Sequence, residues 1–441
     1  MNAPIDSRGS VTLGEATRVF ARIGILSFGG PAGQIALMHR VIVEEKGWLD
    51  EARFLHALNY CMLLPGPEAM QLAIYSGWLL HGVRGGLVAG LLFILPGAFV
   101  ITTLSAIYLQ FGHVPLIQGL LLGMKAAVLA VVLEALIRMS RRSVRHGFAL
   151  ALAMAGFVAI AFLRLPFPLI ILGAVLCGAL MALDATDDGK RSEAAAEIPE
   201  WARPSLGRFL KTSAIWLAIW LLPLMALSSM SGTFEVFAAE ALFFSKMAAV
   251  TFGGAYAVLA YVAQQAVEVH HWLLADEMLT GLGLAETTPG PLILVLVFVG
   301  FLGGARLSGL DPLTGGVTGA VVTLWFTFVP CFLWIFAGAP YVETVRNVRW
   351  LASALAAVTA VVVGIIANLA LWFALHVLFG VVRDIEVGPF IFAIPDLPTF
   401  DPGSMLIALA AGIALIVFRA NLIAVLAAAA LAGMGWKLAM G

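Results

Sequence analysis

Charge is scarce in this chain of 441 residues: Asp, Glu, Lys and Arg make up 12% of it, while 61% is hydrophobic. Ordinary soluble domains carry about 25% charged and about 45–50% apolar residues. The imbalance excludes a soluble globular protein and defines an integral membrane protein. Cysteine is scarcer still. Cys61, Cys177 and Cys331 sit in apolar segments without paired spacing, which argues against a disulfide framework or a zinc site and for buried packing residues. No HExxH, GxSxG or CxxC occurs, so the sequence offers no catalytic residues, no metal ligands and no cofactor. His270 and His271, beside Asp276 and Glu277, read as an interfacial turn. A formal net charge of -1 gives no reason to expect nucleic acid. The N-terminus, "MNAPIDSRGSVTLGEATRVFARIG", lacks the basic, apolar and small-residue order of a cleavable signal.

What is abundant is long apolar sequence, as in Gly85 to Phe111, Val114 to Met139, Leu351 to Gly380 and Ser404 to Phe418. A helix needs about 20 such residues to cross the hydrocarbon, and about 10 to 13 segments qualify. The expectation is an all-α polytopic protein in contact with membrane lipid.

An offset of 224, the distance from Phe28 to Phe252, superimposes "FGGPAGQ" on "FGGAYAV". Without a gap it also places Val43, Glu44, Trp48 and Leu49 on Val267, Glu268, Trp272 and Leu273. Pro65, Gly66 and Pro67 fall on Pro289, Gly290 and Pro291. An offset of 230 then sets Gly85 and Gly86 on Gly315 and Gly316. Matches of this length mark an internal repeat. Residues 1–183 form the first repeat, 184–233 a linker with one extra apolar segment (Thr212 to Ser228), and 234–441 the second repeat.

Loop charge sets orientation, with Lys and Arg on the cytoplasmic side. Arg138, Arg141, Arg142 and Arg145 follow one helix of the first repeat. The counterpart loop, Val381 to Pro402, holds Arg383 against four acids. Conversely, "FGHVP" near Gly112 has no Lys or Arg, whereas its counterpart holds Arg346 and Arg349. The signs swap, so the repeats are expected to be inverted, a build recurrent in secondary transporters with the substrate near the midplane.

Both motifs break helices. Gly29 and Gly30 allow unusual dihedrals, and Pro31 obstructs the carbonyl of Ser27. Irregular backbone in lipid survives only where protein or a wet cavity surrounds it. A helix from residue 67 to 81 would rise only about 22 Å, which suits a half-helix that starts inside the membrane. Its free N–H groups, at Gly66, Glu68, Ala69 and Met70, or at Gly290, Leu292, Ile293 and Leu294, would suit an oxyanion. The candidate anion-binding residues are therefore Phe28, Gly29, Gly30, Pro65, Gly66, Pro67, Glu68 and Gln71 in the first repeat. Phe252, Gly253, Gly254, Thr287, Thr288, Pro289, Gly290 and Pro291 are their counterparts in the second, with the two threonines as caps or hydroxyl donors.

Five ionisable residues in apolar surroundings are also considered. Arg22 and Lys246 stand six residues before the two FGG motifs and either hold the anion or reach to the interface. Lys125 is an anion contact, and Glu134 approaches the basic helix end. Glu68 either caps its helix or is protonated when a dianion binds nearby, through like-charge repulsion. The first repeat is the more polar at the motifs, since Glu68 and Gln71 align with Leu292 and Val295, and the proton-handling residue is expected there.

"FGGPAGQIALMH", "FLHALNYCMLLPGPEAMQLAIYSGWLLHG", "RGGLVAGLLFILPG", "TFGGAYAVLAYV" and "TPGPLILVLVFVGF" resemble the signatures of the chromate ion transporter family, from Leu13 into the 430s. The resemblance implies a two-domain carrier of the bacterial inner membrane that exports chromate, coupled to protons. The residues themselves leave open sulfate or another oxyanion, uptake in place of export, a passive anion channel, and a homo-oligomer.

Overall fold

The computed structural model describes residues 11–184, 204–252, 255–341 and 349–440. Gly253, Gly254 and Arg346 lie outside them, so the second FGG motif is described only at Phe252. Nearly everything described is helical. In chain order the helices are α1 (Leu13–Leu26), α2 (Gly30–His39), α3 (Glu51–Cys61), α4 (Glu68–Phe111), α5 (Pro115–Ser143), α6 (Gly147–Ala161), α7 (Phe167–Asp184) and α8 (Leu206–Ser228). The second half continues with α9 (Glu235–Val250), α10 (Ala255–Gln264), α11 (Ala275–Glu286), α12 (Val295–Leu307), α13 (Pro312–Gly338), α14 (Arg349–Leu378), α15 (Pro402–Gly412) and α16 (Leu422–Met440).

Among the described residues six helices are long and apolar enough to cross a membrane, and four shorter ones are apolar. One departure from the all-α reading is a hairpin in the Val381 to Pro402 loop. Strands β1 (Val382–Val387) and β2 (Phe390–Pro395) pair antiparallel, with Val387 opposite Phe390, and Gly388 at φ 61° makes the turn.

The repeat is visible element by element. At offset 224, the ends of α1 and α9 coincide at Leu26 and Val250. Both α2 and α10 relax into a π-helical turn, Arg40–Glu45 and Gln265–Val269. The matched tryptophans close those turns alike: Trp48 N–H donates to Ile42 at 2.9 Å and Trp272 N–H to Ala266 at 2.8 Å. The expected half-helix is also present, since α4 breaks at His81 and Gly82, whose φ values are -136° and 61°. Its counterpart is the gap between α12 and α13.

The chain forms two compact units, and each draws on both sequence halves. One contains the described residues within Met1–Thr102, Asp184–Gly254 and Thr288–Ala352; the other those within Thr103–Leu183, Ala255–Thr287 and Ser353–Gly441. The chain passes from the second unit to the first at 183/184, and the compact units do not coincide with the sequence halves.

In the first unit α8 docks on its neighbours through tryptophans. Trp216 stacks on Phe332 with ring centroids 5.5 Å apart, Trp220 Nε1 donates to Ser245 Oγ at 3.1 Å, and Trp325 Nε1 donates to the Ile219 carbonyl at 3.2 Å. Trp220 is the one buried residue of α8, and its exposed Leu206, Leu210, Leu222 and Met225 are left to lipid. In the second unit, small residues let α5 and α16 meet backbone to backbone at Gly123 and Gly433, as apolar surfaces alone give helices in lipid little reason to associate.

Candidate functional site

The two PGP turns and the helix breaks at FGG come together within the first unit, crosswise. After α1 the chain turns at Ser27, with Gly29 at φ 83° and Gly30 at φ 71°, and α2 starts at once with Pro31 in its first turn. The last carbonyls of a helix have no partner within it. That of Ser27 accepts the N–H of Gly290 at 2.7 Å, and that of Thr251, the residue matching Ser27, accepts the N–H of Gly66 at 2.8 Å. Each PGP turn is therefore strapped to the broken helix of the other half. Ser27 and Thr251 are both buried, and their hydroxyls bond back to Ile23 and Met247, again matched positions.

Gly66 and Gly290 have φ values of 120° and 100°, a region an L side chain rarely enters. Glycine is thus required twice at the same point of the motif. Their amides are spent in the straps, which corrects the expectation that these two N–H groups are free for a ligand. In the first half the N–H groups of Glu68, Ala69 and Met70 precede the first bond of the new helix, from Gln71 N–H to the Pro67 carbonyl at 3.1 Å. In the second half a single 3-10 turn, Leu292–Leu294, comes first, closed by a bond from Leu294 N–H to Pro291 at 2.9 Å.

Two glutamines serve these turns. Gln71 Nε2 donates to the Pro65 carbonyl at 2.7 Å, and Gln34 Nε2 donates to the Gly290 carbonyl at 2.6 Å. Both side chains are buried, and in both the Oε1 atom has no hydrogen-bond partner. Gln34 stands in the quoted FGGPAGQ but its partner is 256 residues away, a relation no local pattern carries. Pro65 and Phe28 are partly exposed, Pro67, Pro289 and Pro291 are buried, and Phe252 is partly exposed. Glu68 is partly exposed in the first turn of α4.

Other candidates are placed differently. Thr287 caps the preceding helix, with its hydroxyl on the Leu284 carbonyl at 2.8 Å, whereas Thr288 is buried. Arg22 is exposed and ion-paired with Glu45 at 3.3 Å; Lys246 is exposed. In the second unit Lys125 is paired with Asp276, and Glu134 with Arg138 at 3.3 Å, one helical turn on.

Two carboxyls escaped the sequence reading. Glu286, the residue before the TTPGP run, is buried and accepts from the hydroxyl of Tyr256 at 2.8 Å within the second unit. Glu240, in α9 of the first unit, is wholly buried and neither of its oxygens has a partner. The sequence signal was a single acid at the centre of "VFAAEALFF".

Broken helices, interlocked repeats and many apolar spans define a polytopic membrane transporter. The sequence profile of the chromate transporter family matches residues 14–179 and 239–434, once per half, and the chain belongs to that family. It is 30% identical to a chromate transport protein of Pseudomonas aeruginosa, over 85% of this chain and 84% of that one. A chromate transport protein of Cupriavidus metallidurans is 28% identical over 81% of each chain. An uncharacterised transporter of Methanocaldococcus jannaschii is 23% identical over 81% of this chain and 83% of its own length. No solved structure gives a significant match.

Proposed function

We propose that this protein is a secondary transporter that exports chromate, a tetrahedral dianion, from the bacterial cytoplasm in exchange for protons and so confers chromate resistance. The observation that carries the reading is the crossed pair of straps, Gly66 to Thr251 and Gly290 to Ser27, in a member of this family. They hold two unwound turns in register where backbone N–H groups remain for an anion. The N–H groups of Ala69 and Met70 on one side, and of Leu292 and Ile293 on the other, act with the partial positive charge of the helix starts. Arg22 and Lys246 serve at the approach. The matched bonds, together with the swapped loop charges, support an inverted arrangement of the repeats.

Coupling enters through Glu68. A dianion a few ångströms away favours the protonated carboxyl, so proton and anion occupancy are linked. The test is chromate uptake into proteoliposomes under an imposed pH gradient, with sulfate in excess as competitor. Gradient-dependent accumulation that resists sulfate is expected. Chromate movement that ignores the gradient would identify a passive channel, and movement abolished by sulfate would assign the site to tetrahedral dianions in general.

A further inference from the structure

We propose that Glu240 is a proton-binding site of the transport cycle, joined to the first PGP turn by a file of buried polar groups along α13. The inference rests on the proton-coupled reading above and deepens it. Glu240 lies where α9 meets α12 and α13. A β-carbon on Gly319 of α13 would be 3.2 Å from Glu240 Oε2, and one on Gly300 of α12 would be 1.9 Å from Thr323 Oγ1, so the carboxyl and that hydroxyl are wedged into the same glycine-lined crossing.

Four residues of α13, about one turn apart, then mark the route. Gly319, Thr323, Thr327 and Cys331 follow one another at i, i+4, and the run rises about 18 Å. At its end a β-carbon on Gly66 would lie 3.1 Å from Cys331 Sγ and 2.9 Å from Gln71 Nε2, so sulfur and amide meet at the same turn. Along this line Glu240 Oε1 and Oε2, Thr323 Oγ1, Thr327 Oγ1 and Gln71 Oε1 are all buried without a hydrogen-bond partner. Threonine in a helix can bond its own i-4 carbonyl, and Thr318 and Thr359 do so at 2.9 and 2.7 Å. Thr323 and Thr327 do not.

An unpaired buried polar atom costs about 1–3 kcal/mol. Five on one stripe return nothing to stability, and what they share is the capacity to accept or pass a proton. Among the described residues of the elements packed around it, none sets a counter-charge beside Glu240. Between Pro312 and Gly338, α13 has no charged residue. On α12 the charge is Arg306, in the last turn; on α8, Arg208 and Lys211 stand near the start; on α9 itself, Glu235 and Lys246 are five and six positions away. An ionised carboxylate so placed is strongly disfavoured, and the proton is what makes the site tolerable in this conformation. Release toward the file, and through Gln71 to Glu68, would follow when the crossing opens.

The test compares wild type with Glu240→Gln, which keeps the shape and removes the ionisation, in proteoliposomes. Both proteins are measured for pH-gradient-driven chromate accumulation, where one unit of pH is worth a factor of about ten per coupled proton, and for chromate counterflow without a gradient. Loss of gradient-driven accumulation with counterflow retained supports the assignment. Accumulation equal to wild type overturns it and leaves proton coupling standing; a wild type indifferent to the gradient overturns the coupling itself. Loss of counterflow as well, in a protein with wild-type melting, makes Glu240 structural or part of the anion site and also overturns the proposal. Infrared spectra supply an independent readout: a protonated-carboxyl band in the wild type at neutral pH, absent from Glu240→Gln, is expected, and its absence from the wild type would overturn the assignment whatever the transport result. Thr323→Val with Thr327→Val should slow accumulation and spare that band.

Discussion

The amide of Gly66 donates to the carbonyl of Thr251 at 2.8 Å, and the same bond recurs at 2.7 Å between the matched residues Gly290 and Ser27. A helix that stops inside the membrane strands carbonyls, and a helix that starts there strands amides; lipid satisfies neither. Here each half supplies the carbonyl that the other half's turn needs. The break in one repeat is tolerable because the other repeat is present.

Replacing Gly66 or Gly290 with alanine should therefore damage the turn and the strap together. The positive φ alone costs about 1–3 kcal/mol at such a constrained point, and at Gly66 the new methyl also meets Gln71 Nε2 at 2.9 Å and Cys331 Sγ at 3.1 Å. Gly29 has a positive φ but open space around it. Gly29→Asn is expected to be tolerated, since asparagine enters this region readily. Thermal melting in detergent and chromate transport should both order the variants as wild type and Gly29→Asn above Gly66→Ala and Gly290→Ala.

Gly97 offers a sharper case. It lies on α4 against the second PGP turn, where a β-carbon would stand 1.9 Å from the carbonyl oxygen of Pro289. The obstacle is backbone and cannot rotate away. Gly97→Ala should move the turn, abolish transport and lower stability by more than the ~1 kcal/mol difference in helix propensity would add back. A variant that transports and melts like wild type would show that α4 does not clamp the turn.

Outside the apolar helices, His39 joins the end of α2 to α3. Its imidazole contacts Glu51 at 2.6 Å and Glu44 at 3.2 Å. Hydrogen bonding to Glu51 is the largest influence and raises its pKa above the ordinary 6.5, against a smaller opposing effect of burial. The folded protein therefore holds this proton more tightly than the unfolded chain does. The added stability is complete below about pH 6.5 and is lost as pH rises through the higher folded value. Melting temperature should fall across that interval in wild type and show less of this fall in His39→Gln; identical pH profiles would remove His39 as the cause.

The repeat, the helix breaks, the half-helix from Glu68 and the extra segment that became α8 were all legible, because glycine, proline and apolar run length act locally. The hairpin after α14 also has a local signal, the β-branched and aromatic residues of VRDIEV and FIFAIP on either side of a Gly-Pro pair. The straps were not legible. They join residues more than 180 positions apart through backbone atoms, which leave no side-chain signature. Glu240 and Glu286 look like single acids in apolar text until packing shows that one has no partner and the other has Tyr256.

Lys125 shows how pairing alters the reading of a lone cation. Its ammonium meets Asp276 within the second unit, with 17% of the lysine side chain exposed and 63% of the aspartate. The exposed aspartate loses much of the attraction to solvent screening, which sets the coupling at about 1 kcal/mol. Asp276→Asn should destabilise the protein and slow transport by leaving the half-buried ammonium unpaired. Lys125→Met combined with Asp276→Asn should regain most of both, and a double-mutant cycle on melting should return a favourable coupling. Recovery of transport in the double variant removes Lys125 from the anion's contacts and makes it a support for the start of α11. A double variant as inactive as Lys125→Met alone, with restored stability, would return the ammonium to the anion pathway.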